Sequence, residues 1–249
     1  MEIEAYKKAK SILDVNFFVV ETKKKINRNE LEGKEQEFFR KAGGTRPDLT
    51  LSDIHGQKVV VKDFRRSAPL FSFLIGPILV HREKAALIRL TGVKGVPQFA
   101  GGIDRHAFAM SYTPGTSLDK LENVSLSNGF FDKLTEIVDE MHKKGVAHCD
   151  LRSRGNVILG EDGLPYVVDF AACVLKGRGL NPFINWLFAR FCEADENAIL
   201  RIKQRLAPEL ITDDERDILA RPNRLERPAE FVGKTIRNIT RFLLARSRK

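Results

Sequence analysis

The chain has 249 residues, of which 43% are hydrophobic and 30% charged, with 18 Gly and 10 Pro. That is enough chain to bury a core of its own, and the composition excludes disordered and collagen-like classes. Lys and Arg number 42 against 33 Asp and Glu, a formal charge of +9 that favours an anionic partner: a nucleotide, a phospholipid surface or nucleic acid.

Residues 1–40 are charge-dense, with Lys23-Lys24-Lys25 in the middle, and read as a charged N-terminal extension. No secretory leader is expected, because Glu2 and Glu4 interrupt the basic start and the apolar run 15–20 is short. Residues 41–47, with Gly43 and Gly44, form a turn-rich stretch. Residues 49–51 and 58–64 read as two strands joined around His55-Gly56. Residues 67–80 are apolar but contain Gly76-Pro77 and fall short of the roughly 20 residues of a spanning helix, so no transmembrane segment is expected. Residues 81–90 carry Ala85, Leu87, Ile88 and Leu90 at helical spacing, and residues 107–112 read as a strand stopped by Pro114-Gly115.

The pattern then changes. Residues 130–144 form an amphipathic helix, with Phe131, Leu134, Ile137, Val138 and Met141 on one face and Gly145 as its C-cap. Residues 146–159 read as strand–loop–strand and 166–170 as a strand. Helices are expected over 182–192, 197–206 and 229–245. A strand-rich half preceding a helix-rich half predicts an α+β fold in two lobes, divided as 1–112 and 113–249. Cys149, Cys173 and Cys192 make neither an even disulfide set nor a zinc spacing, which suggests a reducing, cytoplasmic setting.

The chemistry gathers in residues 146–171. Asp150 and Asp169 each sit beside an apolar run, Asn156 lies between them, and His148, Arg152 and Arg154 crowd the same loop. Carboxylate and amide oxygens suit a hard cation such as Mg²⁺, which shares its shell with phosphate and water. A second carboxylate can take a proton from a hydroxyl, and nearby arginines can stabilise phosphoryl charge. Together these point to phosphoryl transfer.

His148-x-Asp150, then Asn156, then Asp169-Phe170 resembles the catalytic loop and metal motif of the protein-kinase-like superfamily. Upstream, Val59-Val-Val-Lys62 looks like its third-strand lysine motif, Glu83 like its helix glutamate, and residues 108–115 like its hinge. The resemblance implies ATP and Mg²⁺ as cofactors. Lys62 would hold the ATP phosphates and Glu83 would pin Lys62. Gly43 and Gly44 would stand for a reduced glycine loop, and Met110, Ser111, Tyr112 and Thr113 would meet the adenine edge. Asp150 would orient the acceptor hydroxyl and take its proton, Arg152 would sit on the γ-phosphate, and Asn156 with Asp169 would hold the metal. His148 would be a structural hydrogen-bonder, and the other histidines surface residues.

The departures are specific. The interval from Asp150 to Asn156 is one residue longer than usual, Cys149 replaces an arginine, Ala171 replaces a glycine, and no Ala-Pro-Glu segment follows. With the short stretch after Asp169, these resemble bacterial lipopolysaccharide-core kinases acting on heptose or 3-deoxy-octulosonic acid. Small RIO-like atypical serine/threonine kinases are similarly close. The implied acceptor is a hydroxyl of an envelope glycolipid sugar. A protein serine or threonine is the alternative, and a pseudokinase that binds nucleotide without turnover is a further one. An anionic membrane surface, at the cytoplasmic face of the inner membrane, is a candidate partner for residues 67–80 and for the basic amphipathic stretch 229–245. Nucleic acid is disfavoured, since no helix-turn-helix, zinc spacing or aromatic–basic strand is present in the sequence.

Overall fold

The computed structural model describes residues 25–31, 37–54, 56–121, 125–177 and 182–220. The expected helix at 229–245, His55 and most of the charged extension lie outside them. The described residues divide into two compact units, 25–88 with 98–112, and 89–97 with 113–220.

The first unit is built on an antiparallel sheet of β1 (Glu37–Arg40), β2 (Asp48–Ile54), β3 (Gln57–Asp63), β4 (Phe99–Gly102) and β5 (Ala107–Ser111), in the order β1-β2-β3-β5-β4. The Val59–Val61 run suits the pleated strand because β-branched side chains pack well there, and it sits at the sheet's centre. In β3 the side chains alternate between faces: Val59 and Val61 join Ile26, Leu31, Ile103, Ala107 and Ala109 in one apolar cluster. Lys62 therefore projects from the opposite face. Its register partner in β5 is Phe108, and in β2 it is Leu49.

Two helices follow β3. Helix α1 (Pro69–Leu74) opens with proline at a position where the missing N–H costs nothing, and α2 runs Gly76–Arg89. The apolar stretch 67–80 is thus helical. Phe71, Leu74, Ile75, Ile78, Leu79 and Val80 are buried, and of its large side chains Phe73 stands out, at 60% exposure, under the Arg105 guanidinium. The stretch covers its own unit, which removes most of the apolar surface expected to meet a membrane. Arg28 fastens the segment before the sheet: its guanidinium donates to Asp63 Oδ2 at 2.7 Å and pairs with Asp104.

The second unit centres on α3 (Asn128–Lys143). Its N-cap is Ser127, whose Oγ accepts from Phe130 N, and it buries Phe130, Phe131, Leu134, Ile137, Val138 and Met141. Three short strands, β6 (Gly115–Ser117), β8 (Val157–Gly160) and β9 (Pro165–Val167), pair antiparallel, and β7 (Val146–Ala147) pairs with β10 (Val174–Leu175). Gly95 makes a close approach that no other residue allows: it sits at φ +83°, a Cβ there would overlap Ile137, and its carbonyl accepts from Val167 N at 2.8 Å.

Two helices were expected over 182–206, but a single one, α4 (Pro182–Leu206), is present. The intervening Glu193-Ala-Asp-Glu196 contains no breaker, and Ala and Glu favour helix. Helix α5 (Asp213–Ala220) had no apolar periodicity to announce it. It is anchored instead by Glu215, which takes two bonds from the buried Lys203 Nζ at 2.8 and 2.9 Å. Among the described residues no helix is long and apolar enough to cross a membrane.

Candidate active site

In the first unit, β3 and α2 bring two predicted residues together. Lys62 Nζ donates to Glu83 Oε2 at 2.7 Å and Oε1 at 3.0 Å, and the residues are 2% and 0% exposed. Removing both charges from water costs several kcal/mol per ion, which close two-point geometry offsets only in part. Such a pair fixes an ammonium group in place more than it stabilises a fold.

Gly43 and Gly44 lie in a tight turn between β1 and β2. Gly43 N and O both bond Arg46, Gly44 is at φ +57°, and Ala68 N donates to Gly44 O at 2.6 Å. Asp48, buried under this turn, accepts from Ala42 N at 2.6 Å. The turn is short and pinned, and Gly43's amide is already spent. Met110 and Ser111 end β5. Ser111 N donates to Gln98 O at 2.8 Å and Tyr112 N to Lys58 O at 3.2 Å, while the Tyr112 ring stacks on Phe39 with centroids 5.8 Å apart. Two of the four residues expected at the adenine edge therefore have their N–H groups committed. Thr113 opens the second unit.

In the second unit, residues 148–170 converge. Asn156 Nδ2 donates to Asp150 O at 2.9 Å and to Asp150 Oδ2 at 3.0 Å. The extra residue in this loop is absorbed by a 3₁₀ turn over Arg154–Asn156, with Asn156 N bonded to Ser153 O at 2.9 Å. Arg152 stands exposed on the loop and Leu151 is buried beneath it. Val168 N donates to Asn156 O at 2.9 Å, which draws the backbone before Asp169 to that of Asn156. Asp169 is left-handed at φ 66°, a conformation that Asp tolerates, and its Oδ1 accepts from Ala171 N at 3.4 Å. Ala171 itself lies in a 3₁₀ turn, Phe170–Ala172, so the missing glycine costs nothing there.

His148 is fully buried and holds two parts of this region. Its Nδ1 accepts from Asp150 N at 3.3 Å, which leaves Nε2–H to donate to Val168 O at 3.0 Å, and Phe170 meets the ring edge-on at 5.0 Å. These bonds give it the structural role expected of it.

One residue of this region escaped the sequence reading. Asp195 of α4 is 1% exposed, and its carboxylate accepts from His148 N at 2.6 Å and Cys149 N at 2.8 Å. Its Oδ2 also meets His142 Nε2 at 3.1 Å. Cys149 is left-handed at φ 66°, rare for a non-glycine residue, and this clamp holds it there. A signal existed: Phe188, Phe191, Asp195, Ile199 and Ile202 share helical spacing, so an acid sits in a core stripe. Breaking the helix at 193–196 hid it. His142, expected at the surface, is half-buried beside this carboxylate.

No protein-family model matches the chain, and no curated protein matches it. Solved structures do. The Rio2 kinase of Chaetomium thermophilum, in an ADP/Mg²⁺-phosphoaspartate complex, is 16% identical with a TM-score of 0.52, over 85% of this chain and 70% of that one. A second structure of Rio2 kinase from the same organism is 17% identical with a TM-score of 0.51, over 76% of this chain and 60% of that one. The fold is protein-kinase-like. At such identity the likeness shows the fold alone. Neither of these two structures is of a lipopolysaccharide kinase.

Proposed function

We propose that the chain is a Mg²⁺- and ATP-dependent phosphotransferase that moves the γ-phosphate to a hydroxyl. The observation that carries this reading is the Asp150–Asn156 pair. The Asn156 amide nitrogen is engaged by Asp150 and turns the amide oxygen elsewhere, beside a backbone bonded to the residue before Asp169. One amide oxygen and one carboxylate form a hard donor set that fits Mg²⁺, which would neutralise phosphate charge during transfer. Asn156 and Asp169 would hold it. Asp150, oriented by Asn156, accepts the proton of the acceptor hydroxyl. Lys62, held by Glu83, binds the α- and β-phosphates, and Arg152 faces developing charge on the γ-phosphate. Little covalent work falls to the protein, so positioning carries the rate. That one structural neighbour was captured with ADP and Mg²⁺ supports the cofactor pair.

For the acceptor we favour a sugar hydroxyl of a bacterial envelope lipopolysaccharide over a protein serine or threonine. Helix α4 begins at Pro182, so residues 170–181 are all the chain available for a peptide-docking segment. The charge of +9 suits an acceptor presented at an anionic membrane surface on the cytoplasmic side. The test follows γ-labelled phosphate from ATP into lipid-linked, protein and soluble fractions of an extract. Asp150→Asn is expected to cut transfer about 10²–10⁴-fold with ATP binding retained, whereas Asp169→Asn weakens metal-dependent ATP binding. Label in the glycolipid fraction supports the sugar, and label in protein transfers the reading to a serine/threonine kinase. ATP binding with no Asp150-dependent label anywhere means a pseudokinase.

A further inference from the structure

Asp139 and His142 lie three residues apart on α3, which puts them on one helix face, and Glu196 of α4 meets them there. One ligand atom from each lies within 4.8 Å of the others. Metal bonds of about 2.0–2.2 Å set neighbouring donors roughly 3–3.5 Å apart, so small side-chain rotations close the set. Metal-bound histidines commonly have their other ring nitrogen held by a carboxylate; His142 Nε2 lies 3.1 Å from Oδ2 of Asp195, which is 1% exposed, so a metal would take Nδ1. We propose that Asp139, His142 and Glu196 bind a divalent transition-metal ion, of the Zn²⁺ or Co²⁺ type, that tightens the Asp195 clamp on the His148–Cys149 backbone.

The donor chemistry selects the ion. One imidazole with two carboxylates suits Zn²⁺ and its first-row neighbours and not Mg²⁺, which takes oxygens alone. The electrostatics agree. Burial pushes the Glu196 carboxyl up, and Asp139, Glu193 and Asp195 add to the push despite His142. A cation removes that repulsion. The coupling is direct, because Asp195 Oδ2 serves both His142 Nε2 and His148 N while Oδ1 serves Cys149 N. A metal on Nδ1 makes the Nε2–H a stronger donor to the Asp195 carboxylate that holds the loop. The binding site does not depend on the phosphotransferase reading, and its test uses neither nucleotide nor turnover.

The full chain, stripped with a chelator, is titrated with Co²⁺ and then Zn²⁺, and amide hydrogen exchange is followed with and without Zn²⁺. The wild type is compared with Asp139→Asn/Glu196→Gln, with Glu196→Gln alone, and with Asp169→Asn. We expect one tight Co²⁺ with visible absorption, displaced by Zn²⁺. Its affinity should fall at least about tenfold in the double variant, less in the single variant, and stay unchanged in Asp169→Asn. Zn²⁺ should slow exchange of the His148 and Cys149 amides in the wild type and not in the double variant. Metal-free melting of the variants should match or exceed the wild type, since a repelled carboxylate is gone. Equal Co²⁺ affinity in wild type and double variant overturns the site, as does loss confined to Asp169→Asn. Zn²⁺ binding that leaves the two amides exchanging at the same rate overturns the coupling.

Discussion

Lys62 and Glu83 are charged residues sealed from water in the first unit, and each is intelligible only through the other. Removing one takes a two-point bond from the second. Lys62→Met is therefore expected to cost about 3–5 kcal/mol in urea or guanidinium unfolding, because it takes the neutralising ammonium away from a buried carboxylate. Lys62→Met/Glu83→Leu should recover most of that loss, since a well-packed apolar pair needs no hydration. Recovery of stability without recovery of phosphate transfer would separate the pair's placement of an ammonium from its contribution to the fold. Both residues were singled out in the sequence by a resemblance: a lysine closing a valine run and a helix glutamate downstream stand in the order of the kinase-like motifs. Alone, each reads as an ordinary strand-edge or helix-surface charge.

At the scale of elements, legibility followed periodicity. The strand β3 announced itself by a run of β-branched residues beside a turn signal, and the helix α3 by a five-residue apolar face. Helix α5 did not, because a Lys203–Glu215 ion pair fastens it instead of an apolar stripe. Asp195 shows the same limit: its role exists only once α4 is continuous and His148 and Cys149 present their amides. The 3₁₀ turn Arg28–Glu30 is likewise held by charge, through Arg28 to Asp63 of β3 and to Asp104 before β5. Burial works to raise the Asp104 carboxyl, but hydrogen bonds from Arg28 and His106 N–H, with the nearby cations, hold it below its ordinary 3.8. A depressed carboxyl contributes stability that is present above the unfolded value and is lost as pH falls through the folded one. Arg28→Met should thus lower stability by about 1 kcal/mol or less at pH 7, after solvent screening. The difference from wild type should shrink below pH 3.8, where Asp104 is protonated in the unfolded chain. Denaturant midpoints at pH 7 and pH 3 check this. A gap that stays constant would mean that Arg28 acts by packing alone.

For the whole molecule, the order of strands and helices was enough to indicate α+β, and the fold matches a solved kinase structure with a TM-score of 0.52. The acceptor was not legible in that sense, because recognition of a particular hydroxyl depends on surface shape and not on a motif. Nucleotide binding is testable at this scale by mass action. At one hundred times its dissociation constant, a ligand that binds only the folded chain adds about 2.7 kcal/mol. Mg²⁺ with ATP should therefore raise the melting temperature. A chelator should remove most of the rise, and Asp169→Asn should blunt it. A rise of equal size without metal would argue against Asn156 and Asp169 as its holders.

The carboxylate of Asp195 lies 47 residues downstream of the His148 amide that it holds. During synthesis, every residue of the 148–169 loop leaves the ribosome before the group that fixes its backbone at His148 and Cys149. A nascent chain halted just after Asp169 would carry Lys62, Glu83, Asp150, Asn156 and Asp169, with Cys149 free to relax from its strained conformation. Under the proposed function such a chain has its candidate reactive groups and lacks their setting, so competence would arrive as a late event of translation, with the middle of α4.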